Sequence, residues 1–232
     1  RGHTAGVETT TGPLGQGIGT AVGMAMAERF LGVAFNRAGE PLVTHRTWVL
    51  ASDGDLMEGV ASEAASLAGH LRLGKLTVIY DDNRITIDGR TDLSFSEDVG
   101  GRFEAYGWRV LRVEDDNDLT AIDAALSDAA GQEERPTLIV LRTIIADPAP
   151  TKRDTPGAHG APLGADEIRK TKAILGWPDE PFFVPDAARA DMGAVATRGA
   201  DREAAWRRLH AGYSTAHPAE AERFRQWMAG EL

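Results

Sequence analysis

Thr47-Trp-Val-Leu-Ala-Ser-Asp-Gly-Asp55 is the stretch on which the fold turns. Its apolar, β-prone start is too short for a helix and has no solvent-facing alternation, so residues 47–51 predict a buried strand ending on small and acidic residues. Downstream, residues 56–71 carry apolar side chains at helical spacing, with Glu58 and Glu63 near the start, where the helix dipole favours negative charge. The design then repeats. Leu76-Thr-Val-Ile-Tyr80 reads as a second buried strand and closes on Asp81-Asp-Asn-Arg-Ile85. Residues 96–106 predict a helix, 108–113 a strand, 118–130 a helix and 137–141 a strand. Upstream, residues 17–31 are apolar almost all round and rich in Gly and Ala, as in a helix packed closely on its neighbours. Strands alternating with helices predict an α/β fold, a doubly wound parallel sheet with helices on both faces.

From Ala146 to Leu163 the composition changes to a long loop with four prolines, a length that in compact domains usually accompanies function. Residues 166–175 then predict a helix, 177–185 an extended proline-punctuated segment, and 202–232 a mostly helical tail broken at His217-Pro218. The expected organisation is one domain over residues 1–180 and a helical extension or linker over 181–232.

Composition removes several classes. The chain has 232 residues, 25 Lys and Arg against 35 Asp and Glu, a formal charge of −10 and no clustered basic face, which argues against a nucleic-acid partner. Without cysteine there is no disulfide, thiolate zinc site or thiol nucleophile, which is compatible with a reducing cytosol, the expected location. No run of about 18 apolar residues is evident, so no membrane partner is expected. The start, Arg-Gly-His-Thr-Ala-Gly, lacks a signal peptide's pattern, and the absence of an initiator methionine leads to the expectation that the chain continues a longer protein.

In open parallel sheets ligands bind beyond the carboxyl ends of the strands. Asp53 and Asn83 follow the first two predicted strands, and if those strands are neighbours their oxygens enter one crevice. A carboxylate, an amide oxygen and a backbone carbonyl form a hard-oxygen set suited to Mg2+ or Ca2+. Gly54 leaves its N–H open to a phosphate at a helix start. Either segment alone is also an ordinary turn sequence; two of them, each directly after a buried strand, favour a metal-bridged diphosphate. The glycines at 12, 15, 17, 19 and 23 make no G-x-G-x-x-G, and no P-loop, H-E-x-x-H or G-x-S-x-G occurs.

Five segments together resemble the transketolase family: Thr9-Thr-Thr-Gly-Pro-Leu-Gly-Gln-Gly17, Asp53-Gly-Asp-Leu-Met-Glu-Gly59, Tyr80-Asp-Asp-Asn-Arg-Ile-Thr-Ile-Asp-Gly89, Arg102-Phe-Glu-Ala-Tyr-Gly-Trp108 and His159-Gly-Ala-Pro-Leu163. They stand in that family's order and cover most of residues 1 to 180. The resemblance implies the diphosphate-binding domain of a thiamine diphosphate enzyme. Asp53, the Asn83 side chain and the Ile85 carbonyl would ligate magnesium, Gly54 would donate its N–H to the diphosphate, and Gly12, Pro13 and Leu14 would line the thiazolium end. His159 would reach the diphosphate and the substrate as the catalytic histidine. His3 sits beside a region where the family carries substrate histidines, but the matching segment would lie upstream of Arg1; His45, His70, His210 and His217 are expected on exposed faces. Glu58 stands where acidic residues in such enzymes link two active sites of a dimer. The chain departs from the family at Ser52, where Gly is usual, and at Ala146-Asp-Pro-Ala, where many members carry Gly-Phe-Gly-Ser.

The implied activity is ketol transfer from a ketose phosphate to an aldose phosphate, in the pentose phosphate pathway, by a homodimer acting on sugar phosphates. Activating the cofactor requires a glutamate at its aminopyrimidine ring, which the family carries on a second, pyrimidine-binding domain. This chain alone is therefore expected to be inactive. Three readings stay open: a portion of a full transketolase, a subunit of a split enzyme whose pyrimidine-binding half is a separate chain, or a non-catalytic interaction module.

Overall fold

The structure is a computed structural model that describes residues 3–231. Its elements are α1 (Gln16–Phe35), β1 (Thr47–Ser52), α2 (Asp53–Met57), α3 (Gly59–His70), β2 (Leu76–Asp82), α4 (Val99–Ala105), β3 (Arg109–Val113), α5 (Leu119–Gly131), β4 (Thr137–Arg142), α6 (Ala165–Ile174), α7 (Asp186–Ala216) and α8 (Pro218–Ala229). The four strands form one parallel sheet in the order β1-β2-β4-β3, with Ser52 opposite Asp81 and Asp82 opposite Arg142.

Alternation along β2 and β4 sends side chains to two covered faces; β1 is corrected from the buried strand expected over 47–51, since it lies at the edge of the sheet with Trp48 and Leu50 exposed on one face. Ala51, Val78, Tyr80 and Leu138 face the core shared with Ile18, Val22 and Ala25 of α1, Ala61, Ala65 and Ala68 of α3, and Phe103 of α4. Ile79, Leu111, Val113, Ile139 and Leu141 face α5 through Ile122, Ala125, Leu126 and Ala129. The doubly wound expectation is met. The alanine stripe of α3 brings its backbone close, and Trp108 Nε1 donates to the Ala65 carbonyl at 2.8 Å, so the largest buried ring also satisfies its polar atom.

Three further local expectations are corrected. The helix anticipated over 56–71 is two helices, because Glu58 adopts an extended conformation (φ −71°, ψ 136°) that closes α2 and opens α3. The C-terminal helix begins at Asp186, well before residue 202, on a stretch whose scattered alanines make no apolar stripe to read. Gln16–Phe35 is long and apolar enough to meet the length and hydropathy of a membrane-crossing helix, contrary to the expectation that no such stretch exists. Ile18, Ala21, Val22 and Ala25 of the same helix are nonetheless buried in the sheet core.

The chain divides into two compact units. The first holds the residues up to Ala27 and His45–Trp177; the second holds Glu28–Thr44 and Pro178–Leu232. In the second, Phe35 meets Phe224 edge to face at 5.3 Å, Tyr213 is fully buried, and Trp206 Nε1 donates to the Leu42 carbonyl at 2.9 Å. His217 Nε2 pairs with Glu40 Oε2 at 2.9 Å and His210 stacks on Trp206 at 5.1 Å, so these two histidines are half-buried, not on exposed faces as expected.

Candidate functional site

β1 runs directly into α2, and this junction places Asp53 inside the protein with only 2 % of its surface exposed. Because β2 is the neighbouring strand, the Tyr80 hydroxyl reaches Asp53 Oδ1 and donates at 2.5 Å, while the Arg84 N–H donates to Oδ2 at 3.0 Å. Burial pushes the Asp53 carboxyl above its ordinary value against the Tyr80 hydrogen bond, and the nearby carboxylates of Asp82 and Asp81 push the same way. Burial likewise raises the Tyr80 hydroxyl, followed by its bond to Asp53, so that hydroxyl keeps its proton and remains a donor.

Asn83 is buried beside this pair. Its Nδ2 donates to Asp81 Oδ2 at 2.8 Å, and its Oδ1 accepts the Ile85 N–H at 2.9 Å. The Thr143 hydroxyl of the loop after β4 also donates to Asp81. Arg84, between the two candidate ligands, holds a left-handed conformation (φ 61°), the tight turn that aims its N–H back at Asp53. Ile85 bridges to Arg90 as a pair whose own polar groups turn away from the partner, since the flanking bonds run from Thr91 N–H to the Arg84 carbonyl and from Thr86 N–H to the Gly89 carbonyl. The Ile85 carbonyl therefore lies on the same side as its N–H, which is bonded to Asn83.

A buried carboxylate, a buried amide oxygen and a backbone carbonyl turned away from Arg90 are hard oxygen donors of the kind a hard cation takes. The donor chemistry tests the fit: Asp53 is buried, and the Tyr80 hydroxyl that reaches it also reaches Asp82, so a buried anion lies close to a further carboxylate and is relieved by positive charge. No group of three or more His, Cys, Asp or Glu set to hold a metal occurs among the described residues; one carboxylate, one amide and one carbonyl do not fill the octahedral shell that magnesium demands, which leaves places for oxygens from a ligand. Magnesium is commonly held so, by one or two carboxylates together with phosphate oxygens.

The glycine-rich segment before α1 joins the same place. Asp55 Oδ1 accepts the Gly15 N–H at 3.1 Å, and its Oδ2 accepts the Ser52 N–H at 3.0 Å and hydroxyl at 3.3 Å. Gly15 has φ 75°, and a Cβ there would lie 2.7 Å from Glu58 Cβ, so both backbone and space demand glycine. A Cβ on Gly54 would meet Leu14 Cδ1 at 3.1 Å, which puts the two segments in contact. Gly12, Pro13 and Leu14 are exposed beside them. Gly54 lies in the first turn of α2, whose N–H groups have no intrahelical acceptor.

His159 is exposed and ends a short 3-10 turn (Pro156–Ala158), its N–H donating to the Pro156 carbonyl at 3.0 Å. Among the described residues no hydrogen bond joins its ring to Asp53 or Asn83. Its loop is anchored by the buried Glu167, whose Oε1 accepts the N–H groups of Thr151 at 2.6 Å and Lys152 at 3.1 Å, and by Lys152 Nζ donating to the Pro162 carbonyl at 3.2 Å. Glu58 is exposed at the α2–α3 break. Sequence reasoning missed Tyr80, Asp55, Asp81 and Glu167. The signal at Tyr80 was a hydroxyl inside an apolar strand, which must find a partner.

Comparison with known proteins agrees with this geometry. The family described as transketolase, thiamine diphosphate binding domain, matches residues 1–232. The transketolase of Geobacillus stearothermophilus is 53 % identical over 233 residues, covering 100 % of this chain and 35 % of the relative. That of Nostoc sp. is 49 % identical, covering 99 % and 34 %. Among solved structures, transketolase from Leishmania mexicana superposes with a TM-score of 0.94 at 45 % identity, covering 99 % of this chain and 34 % of that one. A Pichia stipitis transketolase complex with sedoheptulose 7-phosphate gives 0.92 at 41 %, covering 97 % and 33 %. The chain spans about a third of the length of these relatives. By sequence and by fold, it belongs to the transketolase family and corresponds to that family's thiamine diphosphate-binding domain.

Proposed function

We propose that this chain is the diphosphate- and metal-holding part of a transketolase that moves a two-carbon ketol unit from a ketose phosphate to an aldose phosphate in the cytoplasm. One observation carries the reading: the Arg84 N–H donates to Asp53 Oδ2 at 3.0 Å, so the two strand-end segments that carry the candidate ligands close on one another. Asp53, Asn83 Oδ1 and the Ile85 carbonyl would hold Mg2+ (or Ca2+). Gly54 would donate its N–H to the diphosphate, with Gly12, Pro13 and Leu14 along the thiazolium end. When bound, thiamine diphosphate supplies the carbon that takes up the two-carbon unit and the electron sink for it.

The chain's own residues set position and charge. Tyr80 holds one oxygen of Asp53 and the Arg84 N–H holds the other, fixing the carboxylate. Asp55 ties the Gly15 turn to the end of β1, which keeps the wall of the site in place. His159, exposed on a loop anchored by Glu167, is available to donate to a phosphate or to a substrate oxygen.

The pyrimidine-binding domain would lie in the remaining length of the protein or in a separate chain, and this chain alone would not turn over sugar phosphates. A homodimer is the assembly that the resemblance to transketolase implies. Calorimetric titration with thiamine diphosphate, with and without magnesium, on this chain and on Asp53→Ala tests the reading. Binding that needs both the metal and Asp53 is expected; measurable affinity indifferent to both overturns it. Restoring transfer from xylulose 5-phosphate to ribose 5-phosphate by adding the pyrimidine-binding half separates an enzyme part from an inert module.

A further inference from the structure

We infer that the first unit carries a second anion site at the opposite end of the sheet, built for a small phosphorylated molecule. A cavity of about 520 Å³ there is lined by Gly69, His70, Arg72, Gly107, Glu134 and Arg135. Three connections converge on it: the end of α3, the turn before β3 and the loop before β4. They are pressed together at two glycines, since a Cβ on Gly69 would fall 1.9 Å from the Tyr106 carbonyl oxygen and one on Gly74 1.9 Å from that of Glu133.

The charge pattern identifies the ligand class. Among the described residues of the first unit every other arginine pairs with an Asp or Glu, yet Arg72 and Arg135 have no carboxylate partner, and both line this one cavity. His70 adds an imidazole, against the single carboxylate of Glu134. In a chain of net charge −10, two unpaired guanidinium groups at one cavity form a local positive field, and their forked donors match phosphate oxygens. The acidic remainder of the chain repels an extended polyanion, and the volume suits a metabolite-sized ligand.

Arg72 supplies a second, independent observation. It holds φ 51° just past the end of α3, the place where glycine ordinarily closes a helix without strain. A strained, charged residue in place of a relaxed glycine calls for a reason outside packing, and a ligand contact gives one. The site is separate from the one at Asp53, because β2, from Leu76 to Asp82, sets them roughly 20 Å apart at about 3.3 Å per residue.

The test is proton NMR of the His70 ring, identified among the six histidines by loss of its signal in His70→Gln, during titration with inorganic phosphate at constant ionic strength. A saturable shift is expected, unchanged in Asp53→Ala. Arg72→Gly removes the guanidinium while relaxing the backbone, so it folds at least as well as the parent; with Arg135→Gln it should weaken the phosphate response about tenfold or more. Glu134→Gln should strengthen it. A phosphate response that is non-saturable, matched by acetate, or indifferent to Arg72→Gly with Arg135→Gln overturns the proposal.

Discussion

The Tyr80 hydroxyl donates to Asp53 Oδ1 at 2.5 Å across the β1–β2 pair, so a residue of one strand orients the buried carboxylate that follows the other. Partners of this kind fix the orientation of a metal ligand, and losing one costs about ten- to hundredfold in metal affinity. Tyr80→Phe keeps the ring and its packing but removes the donor. Magnesium-dependent binding of thiamine diphosphate should weaken by about that factor while the fold persists. Calorimetry at fixed magnesium, with circular dichroism as the control, decides it; unaltered affinity would show that the Arg84 N–H alone holds Asp53.

The buried Asp53 also leaves a signature in stability. Burial lifts its carboxyl above the 3.8 of an unfolded chain, so the folded state binds its proton more tightly than the unfolded state does. The native protein therefore loses stability as pH climbs from 3.8 through the folded value, and the loss is complete above it. Asp53→Asn, which cannot ionise, escapes this loss. In the absence of metal, the melting temperature of Asp53→Asn relative to the parent should rise between pH 4 and pH 7. A gap independent of pH would mean that Asp53 is not strained by its charge.

The parts of the candidate site legible in the sequence were those set by local rules. Short apolar runs gave the strands, and acidic or amide residues directly after them gave Asp53 and Asn83. What stayed hidden depends on register and on long-range approach. That Tyr80 meets Asp53 follows only from β1 lying beside β2, and that Asp55 binds Gly15 spans forty positions of chain. The break at Glu58 was hidden because helical spacing of apolar residues continues across it, and the early start of α7 because its face toward solvent carries no pattern.

Ala146 holds φ 58°, in the left-handed region that disfavours any Cβ. Glycine, which the resemblance leads one to expect at this position, takes this conformation without that cost. Ala146→Gly removes a cost of about 1–2 kcal/mol and adds about 0.5–1 kcal/mol of backbone entropy, so a net gain of up to about 1.5 kcal/mol, centred on about 0.7 kcal/mol, follows. For a chain of this length that is about 2 °C in melting temperature. Differential scanning calorimetry measures it; a lower melting point would show that the alanine methyl makes a contact worth more than the strain.

Glu167 anchors the loop that carries His159. The Thr151 N–H, with that of Lys152, holds its carboxyl below its ordinary value of 4.5 despite opposing burial. A carboxyl lowered on folding contributes stability that is present above the unfolded value and lost as pH falls through the folded one. Glu167→Gln keeps an oxygen for both N–H groups but not the charge. It should therefore melt below the parent at pH 7, with the difference closing below pH 4. Because the weakened contacts lie in the 146–163 loop, limited proteolysis at pH 7 should cut that loop faster in the variant while the sheet core stays protected. Equal cutting rates would separate Glu167 from the loop and leave His159 held by other contacts.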